Sequence, residues 1–508
     1  MPVSKFLMSV GQFVLLGNWI IEGDFKRKRQ IIKTSKLLWV LCSFYALHLI
    51  GLFYTSDFNY ALNDLRIKLP LLWFPLLFAT SKPLEKKEID TLLNVFIASV
   101  FTASIVSMFV LLGYTKRKVS DIRDISIFNS HIRFALMIVL SICALLYNYF
   151  KTEKALHYIL KAVLALWFIV FLCIMESLTG LIILVVVLYY LLIQFFRNQK
   201  KPLLKLFPFL LLSLGGFMLF YIIHAEWRKY YTVQKIDFKT AYAKKTPNGN
   251  IYENDSTKKV TENGHYLWMN NSFGEMREAW QKRSQLGFDS LDQKGNTLAF
   301  TLARYLTSKG LTKDSLAVSS LGNEEIKLVE KGVSNYLYPN TGSIRSRIHE
   351  VIWEYDSYIN GVGASGHSLL MRLEFWKTGL NIIRKQPVLG VGTGDVQVAY
   401  NRQYKADNSK LTERWHLRSH NQFIAIGVAF GLIGILLFFI WLFAPLFMVK
   451  QKNPLFPLFF IIGFLSMLNE DTLETQAGVT FFGFFYCFFL LNEGIKSREP
   501  GEIKPGIE

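Results

Sequence analysis

Hydrophobic positions along this chain fall in unbroken blocks, not in the narrow stripes that mark soluble amphipathic helices. Blocks lie near residues 6–21, 37–54, 69–81, 91–113, 131–150, 158–175, 177–196, 204–224, 422–449, 454–469 and 478–492. Several reach the roughly 20 apolar residues that a helix needs to cross a ~30 Å hydrocarbon core, whereas a helix buried in a soluble protein needs about 10–14. Backbone polar groups in lipid must be paired within their own segment, so each block predicts a helix. The pattern predicts an all-α polytopic membrane protein with about eleven transmembrane helices. Block 69–81 is short for a crossing. Only Glu176 separates blocks 158–175 and 177–196, which predicts a tight turn.

Between the two groups of blocks lies a polar stretch, 225–421, that alternates helix-like segments (274–286, 298–309) with a loop-like one at 244–264. The expected organisation is an N-terminal bundle of about eight helices (1–224), a large and mainly helical loop domain (225–421), about three C-terminal helices (422–492) and a tail (493–508). Orientation follows from the basic loops, which collect on the cytoplasmic side. Lys26, Arg27, Lys28, Arg29, Lys33 and Lys36 crowd one connection; Lys82, Lys86 and Lys87, then Arg197, Lys200, Lys201 and Lys205, then Lys450 and Lys452 crowd others on the same side. Lys116, Arg117, Lys118 and Arg123 fall opposite, partly offset by Asp121 and Asp124. The balance places the 225–421 domain outside the cytoplasm and the tail inside. Block 6–21 begins after only five residues, which suggests a further upstream helix in a longer form of the chain.

Composition agrees with the pattern. Of 508 residues, 51% are hydrophobic and 15% aromatic, and the mean hydropathy is +0.27, too apolar for a soluble chain of this size. Net charge is +19, but no basic-aromatic nucleic-acid module stands out, so no nucleic-acid partner is expected. Cys42, Cys143, Cys173 and Cys487 all sit in apolar blocks without a CxxC pair, which indicates neither a zinc site nor a disulfide framework. No small-residue cleavage site follows the first block, so no cleavable signal peptide is expected.

Candidate chemistry begins with exclusions. There is no DxD pair for a metal-held nucleotide sugar, and no HExxH, P-loop or GxSxG. Catalysis would have to use acid–base groups and fixed cations. The densest candidates bracket the end of the polar domain: Arg372 and Trp376, four apart on one helical face; the glycine-rich turn Pro387–Gly394; and Arg418, Ser419, His420, Asn421, Gln422 and Phe423 just before a membrane block. A plain turn accounts for most glycine runs, and an interfacial role for most lone histidines.

Taken together, R-x-x-x-W (372–376), P-x-x-G-x-G-x-G (387–394) and S-H-N-Q-F (419–423) resemble the O-antigen ligase and polymerase (Wzy/WaaL) superfamily. Its Bacteroidetes branch is resembled further at NWIIEGDFKRK (18–28), IKLPLLWFPLLF (67–78), HIRFALM (131–137), TLARYLTSKGLTKDS (301–315) and NEDTLETQAGVTFF (469–482). The resemblance implies a GT-C-like membrane transferase in the bacterial inner membrane. It would take a glycan from undecaprenyl pyrophosphate and join it to an acceptor hydroxyl, such as one on lipid A-core, at the periplasmic face. No metal, nucleotide or other cofactor is implied. His420 matches the family's loop histidine and Arg372 its loop arginine. One departure stands out: residues 177–180 read Ser-Leu-Thr-Gly, with Leu178 where the family often carries an arginine. Arg133, beside His131, is the favoured substitute; Arg228 and Arg418 are others.

The residue types suit that chemistry. Fixed guanidinium groups bind phosphate oxygens bidentately and keep their charge, so Arg372 is the expected leaving-group clamp. An imidazole that titrates near neutrality suits a general base, the role expected of His420. Direct displacement would invert the anomeric centre. Glu470, Asp471 and Glu474, with Gln476, are candidates to orient His420 or the acceptor, although solvated turn residues look alike. Glu176 and His367 are similar candidates, with a structural role the simpler reading; Arg304, Lys309 and Lys313 fall in a stretch that resembles the branch, and a solvated helix face explains them equally well. The same donor chemistry would serve a polysaccharide polymerase or a protein O-oligosaccharyltransferase. A transporter or flippase would instead show half-repeats and ionisable residues at mid-membrane, and neither is visible.

Overall fold

The computed structural model describes residues 1–115, 117, 122–149, 155–233, 235, 238–338, 344–359, 368–450 and 452–492. His367 and the 493–508 tail therefore lie outside the described residues. The chain is mostly helical and divides into two compact units, Met1–Lys200 with Arg372–Glu508, and Lys201–Met371.

The first unit opens with α1 (Lys5–Ile21), α2 (Phe25–Thr34), α3 (Lys36–Ile50), α4 (Phe58–Lys68), α5 (Pro70–Thr80), α6 (Lys86–Leu111), α7 (His131–Tyr149), α8 (Ala155–Ile174) and α9 (Leu178–Arg197). The second contains α10 (Pro202–Tyr231), α11 (Phe238–Ala243), α12 (Phe273–Gln281), α13 (Leu298–Ser308), α14 (Ser315–Ser320), α15 (Asn323–Glu330) and α16 (Ile344–Ile359). Helix α17 (Ser368–Lys385) leads back to the first, which ends with α18 (Val396–Ala406), α19 (Gln422–Met448), α20 (Phe456–Asn469) and α21 (Gln476–Leu491). Every predicted apolar block falls on one of these helices. Six of the described helices are long and apolar enough to cross a membrane: Lys36–Tyr54, Lys86–Leu111, Leu156–Ile174, Leu178–Arg197, Leu203–Tyr231 and Gln422–Met448. The bent pair α1–α2 adds a seventh if it counts as one span.

Local chemistry sets the boundaries. Side chains of Asp57, Ser177, Asn421 and Thr475 accept backbone N–H groups at the starts of α4, α9, α19 and α21. Glu176, left-handed at φ 50°, makes the tight turn between α8 and α9. The first unit is held largely by aromatic packing: α21 lies against α5, and α3 against both α5 and α19. Phe44 packs 4.8 Å from Trp441, whose indole N–H donates to the Leu41 carbonyl at 2.8 Å. In lipid such close packing and internal hydrogen bonds, not water exclusion, hold helices together.

In the second unit, α10 packs on α16, and α12–α15 enclose an apolar core around Trp280, Leu302 and Leu306. The expected helix 298–309 is α13, and the expected 274–286 is α12, which stops at Gln281. Two residues read as a solvated helix face are not on one. Arg304 is buried, bonded to the Glu262 carboxylate at 3.0 and 3.2 Å and stacked 3.3 Å from the Trp353 ring. Lys313 is buried too, its amine donating to the Tyr266 carbonyl and the Thr307 hydroxyl. Arg304 can point inward from α13 because Glu262 of β1 (Thr261–Glu262) and Trp353 of α16 meet it there.

Candidate active site

The glycine-rich segment organises the candidate site. After α17 ends, Pro387–Gly394 runs alongside α19 at the point where that helix breaks: Gly431 sits at φ 63°, ψ −157° inside it. The break frees backbone groups that the turn satisfies. Leu432 N donates to the Pro387 carbonyl (2.7 Å), Val391 N to that of Val428 (2.9 Å) and Gly392 N to that of Ala429 (2.9 Å). A Cβ on Gly390, itself at positive φ, would lie 2.5 Å from the Ala429 carbonyl carbon; one on Gly431 would strike the Val388 carbonyl. Glycine is required here by backbone-to-backbone approach. Just beyond, Asp395 accepts the N–H groups of Ser56 (2.7 Å) and Asp57 (3.1 Å) and caps the turn before α4. The segment thus pins α17, which carries Arg372, to α19, which His420 precedes.

Arg372 and His420 meet at one carboxylate. The Arg372 guanidinium donates to Asn469 Oδ1 at 2.6 Å and lies 3.4 Å from Glu470 Oε1. His420 Nδ1 lies 3.5 Å from Glu470 Oε2 and 4.0 Å from Asp471 Oδ1, at ion-pair distance but without a formed hydrogen bond. Trp376, one turn after Arg372, donates to the Ser419 carbonyl at 3.0 Å, and the Phe375 ring lies 5.6 Å from the imidazole. His420 is held at φ 47°, an uncommon conformation for a non-glycine residue.

Charge at this cluster follows from burial and its partners. Burial alone would lower the His420 pKa, but Glu470 and Asp471 outweigh it and raise it above the ordinary value. Glu470 shows the converse: burial pushes its carboxyl up, while His420, Arg133 and Arg372 together hold it below the usual range. For Asp471 burial wins over Arg418 and His420, and its carboxyl rises. Arg133, at the first turn of α7, thus acts on the same carboxylate as Arg372; its Nη1 bonds Ser130 at 2.9 Å, and its Nε has no hydrogen-bond partner among the described residues. Leu178 is largely exposed at the start of α9. Its neighbour Thr179 accepts from Asn469 at 2.7 Å, so the Ser-Leu-Thr-Gly segment is linked to Arg372 through a single asparagine.

A second, buried charge network lies beside the first. Arg418 donates to Glu474 (3.3 Å) and to the Tyr60 hydroxyl (3.0 Å), and lies 3.9 Å from Asp471. Lys68, whose side chain is 1% exposed, bonds Glu474 at 2.8 Å and Asp64 at 2.5 Å. Gln422 donates to Glu474 at 3.0 Å and accepts the Leu473 N–H at 2.7 Å. Burial pushes the Glu474 carboxyl up, but Lys68 and Arg418 hold it well below the usual range. A small enclosed cavity is lined by Tyr60, Asp64, Lys68, Arg418 and Glu474, with His48 and Thr393.

Of the residues singled out from sequence, His420, Arg372, Glu470 and, through its charge, Arg133 come together. Arg418 and Glu474 meet in the adjoining network, Arg228 lies exposed in the second unit, and Gln476 bonds Ser9 instead at 2.7 Å. Lys68, Asp64, Tyr60, Asn469 and Thr179 were missed as site residues. Lys68 left a trace, being a cation directly before an apolar block and four residues after an aspartate on one helical face. Donor atoms of His420, Glu470 and Asp471 lie within 4.8 Å of one another, close enough to hold a cation. The Arg372 and Arg418 guanidiniums already face these carboxylates, so the local charge is balanced by fixed cations.

Helices of this length and apolarity, with a histidine, a carboxylate and arginines gathered at the end of one of them, define a multi-pass α-helical membrane protein with the makings of an acid–base site. Residues 320–439 match the Wzy_C family model, described as O-antigen ligase. This match supports a place in the O-antigen ligase and polymerase superfamily, whose members are glycosyltransferase- or ligase-type enzymes. The matched segment includes Arg372, the glycine-rich turn and His420; Leu178 and Glu470 lie outside it. No curated protein matches the chain.

Proposed function

We propose that this protein is a metal-independent O-antigen ligase that moves a glycan from undecaprenyl pyrophosphate to a hydroxyl of lipid A-core. The observation that carries the reading is the sharing of one carboxylate, Glu470, by a candidate base and a candidate clamp, at 3.5 and 3.4 Å. His420 takes the proton of the acceptor hydroxyl as its oxygen bonds the anomeric carbon. The anomeric carbon–oxygen bond to phosphate breaks, the centre inverts, and undecaprenyl pyrophosphate leaves with the electron pair. Arg372 stabilises the charge that develops on the phosphate oxygens, and Arg133 takes the place of the arginine that Leu178 replaces. Pre-positioned cations in a water-poor site are suited to this task because they need no reorganisation as charge develops. Glu470 orients the imidazole and raises its basicity.

The reading places the chain in the bacterial inner membrane with about eleven crossings, residues 225–421 in the periplasm and the tail in the cytoplasm. Deleting the gene and comparing glycans on lipopolysaccharide, on protein and on the undecaprenyl carrier tests it. Full-length polymer stranded on carrier is the expected result. Single repeat units on carrier would indicate a polymerase, loss from protein alone a protein O-glycosyltransferase, and an unchanged profile would remove the activity class. Accessibility of cysteines placed between residues 273 and 330 to a membrane-impermeant reagent tests the orientation.

A further inference from the structure

Outside the candidate site, the most strongly basic feature is α2, ten residues reading FKRKRQIIKT. Its direction is fixed. Gly23 (φ 67°) and Asp24 (φ 52°) turn the chain so that α2 leaves the axis of α1 at 110°. Lys28 points inward, 1% exposed, bonding the Trp19 carbonyl at 2.5 Å and Glu22 at 3.0 Å and lying 4.5 Å from the Trp19 ring. Arg27 bonds Asp24 at 2.7 Å and the Thr80 carbonyl at 3.0 Å. Two of the cations are thus consumed in holding the helix across the end of α1.

The others face away. Lys26, Arg29, Gln30 and Lys33, spaced three and four apart on one face, are exposed and line an open concavity with Phe25 and Thr34. No ion pair among the described residues neutralises Lys26, Arg29 or Lys33. The apolar helix α1 ends at Ile21 and the membrane-length helix starting at Lys36 follows directly, so α2 sits at the level where two apolar helices leave the bilayer. A short basic helix turned across the axis of its apolar neighbour lies along the interface, with its free cations at headgroup depth.

We propose that the Lys26–Arg29–Lys33 face of α2 is a binding site for anionic phospholipid headgroups. The phosphodiester supplies the charge that these cations lack, and half-exposed Phe25 offers the adjacent acyl region an apolar contact. This site is separate from His420 and Arg372 and does not depend on the transferase reading.

The test uses the full chain in phosphatidylcholine vesicles, with spin-labelled phosphatidylglycerol and phosphatidylcholine measuring lipid preference at the protein surface. The wild type is expected to prefer phosphatidylglycerol, and K26Q/R29Q/K33Q to lose that preference by about fivefold per charge at low salt, less as salt screens it. A variant with the same change of charge in the second unit, K282Q/K294Q/K331Q, is expected to keep it. Equal preference in wild type and the α2 variant overturns the proposal, and so does an equal loss in both variants. Competition by millimolar inorganic phosphate would make this a small-anion site and overturn it too. Unchanged thermal unfolding of both variants checks that the fold is intact.

Discussion

Replacing Glu470 with glutamine isolates the electrostatic part of the proposed site, because the amide keeps the shape of the side chain and removes its charge. The carboxylate lies 3.5 Å from His420 Nδ1, at the limit of hydrogen bonding, and it raises the imidazole pKa first through that contact and then through its charge. At that separation, Coulomb's law gives about 1.2 kcal/mol with the dielectric of water and about 4.7 kcal/mol at an effective value near 20. The His420 side chain is 33% exposed, and Asp471 remains at 4.0 Å in the variant, so the lower figure is the better guide. Losing that charge lowers the His420 pKa from its raised position. Histidine ring resonances titrated in labelled protein, with H420Q identifying the relevant signal among nine histidines, measure this without any assumption about activity. The sign is definite. In the wild type the pKa lies above the ordinary value, so the neutral imidazole is gained only as pH rises through that raised midpoint. In E470Q the midpoint falls, and the acid limb of transfer activity moves to lower pH with it. A midpoint that stays put or rises would refute the carboxylate's role.

Three further outcomes follow from the geometry. H420A should lower glycan transfer by about 10²–10⁴-fold, the range of a lost general base, and R372A should abolish transfer, with both proteins inserting normally; near-wild-type turnover by either would mean that the residue is misassigned. K68M leaves Asp64 unpaired and Glu474 held only by Arg418 and Gln422, which should cost about 3–5 kcal/mol in unfolding measured in detergent, with part recovered in K68M/D64N. A loss below about 1 kcal/mol would show that the network carries little stability. G431A meets the Val388 carbonyl at a positive φ, so about 1–3 kcal/mol of strain should appear in the same unfolding assay, whereas G274A, with open space around the glycine, should be close to neutral.

The helices were legible because their cause is local. An apolar run long enough to cross a bilayer must pair its own backbone, whatever surrounds it, and every predicted block is helical. The turn at Glu176 and two helices of the 225–421 stretch, α12 and α13, were legible from local pattern as well, whereas α11, α14, α15, α16 and α18 were not named. The candidate site was legible only in part. His420, Arg372 and the glycine-rich turn are close enough in sequence to form a recognisable pattern, whereas Glu470 stood out only as one of several acids between two apolar blocks. Lys68 and Asn469 gave almost no signal, since a lysine before a block reads as a loop cation and an asparagine after one reads as a helix end.

Sequence by itself therefore indicated an all-helical membrane protein that resembles the O-antigen ligase and polymerase superfamily, with its candidate base just before α19 and its candidate arginine on α17. Tertiary structure decided what those groups face. Glu470 lies 98 residues from Arg372 along the chain, and Lys68 lies 406 from Glu474; no local pattern encodes such pairings. They arise because the α19 break accepts the glycine-rich turn and α21 packs on α5, bringing the 470–474 loop to His420. Burial there, with the cations that meet it, sets the charge of each carboxylate, and burial is a property of the packed helices and of no single segment.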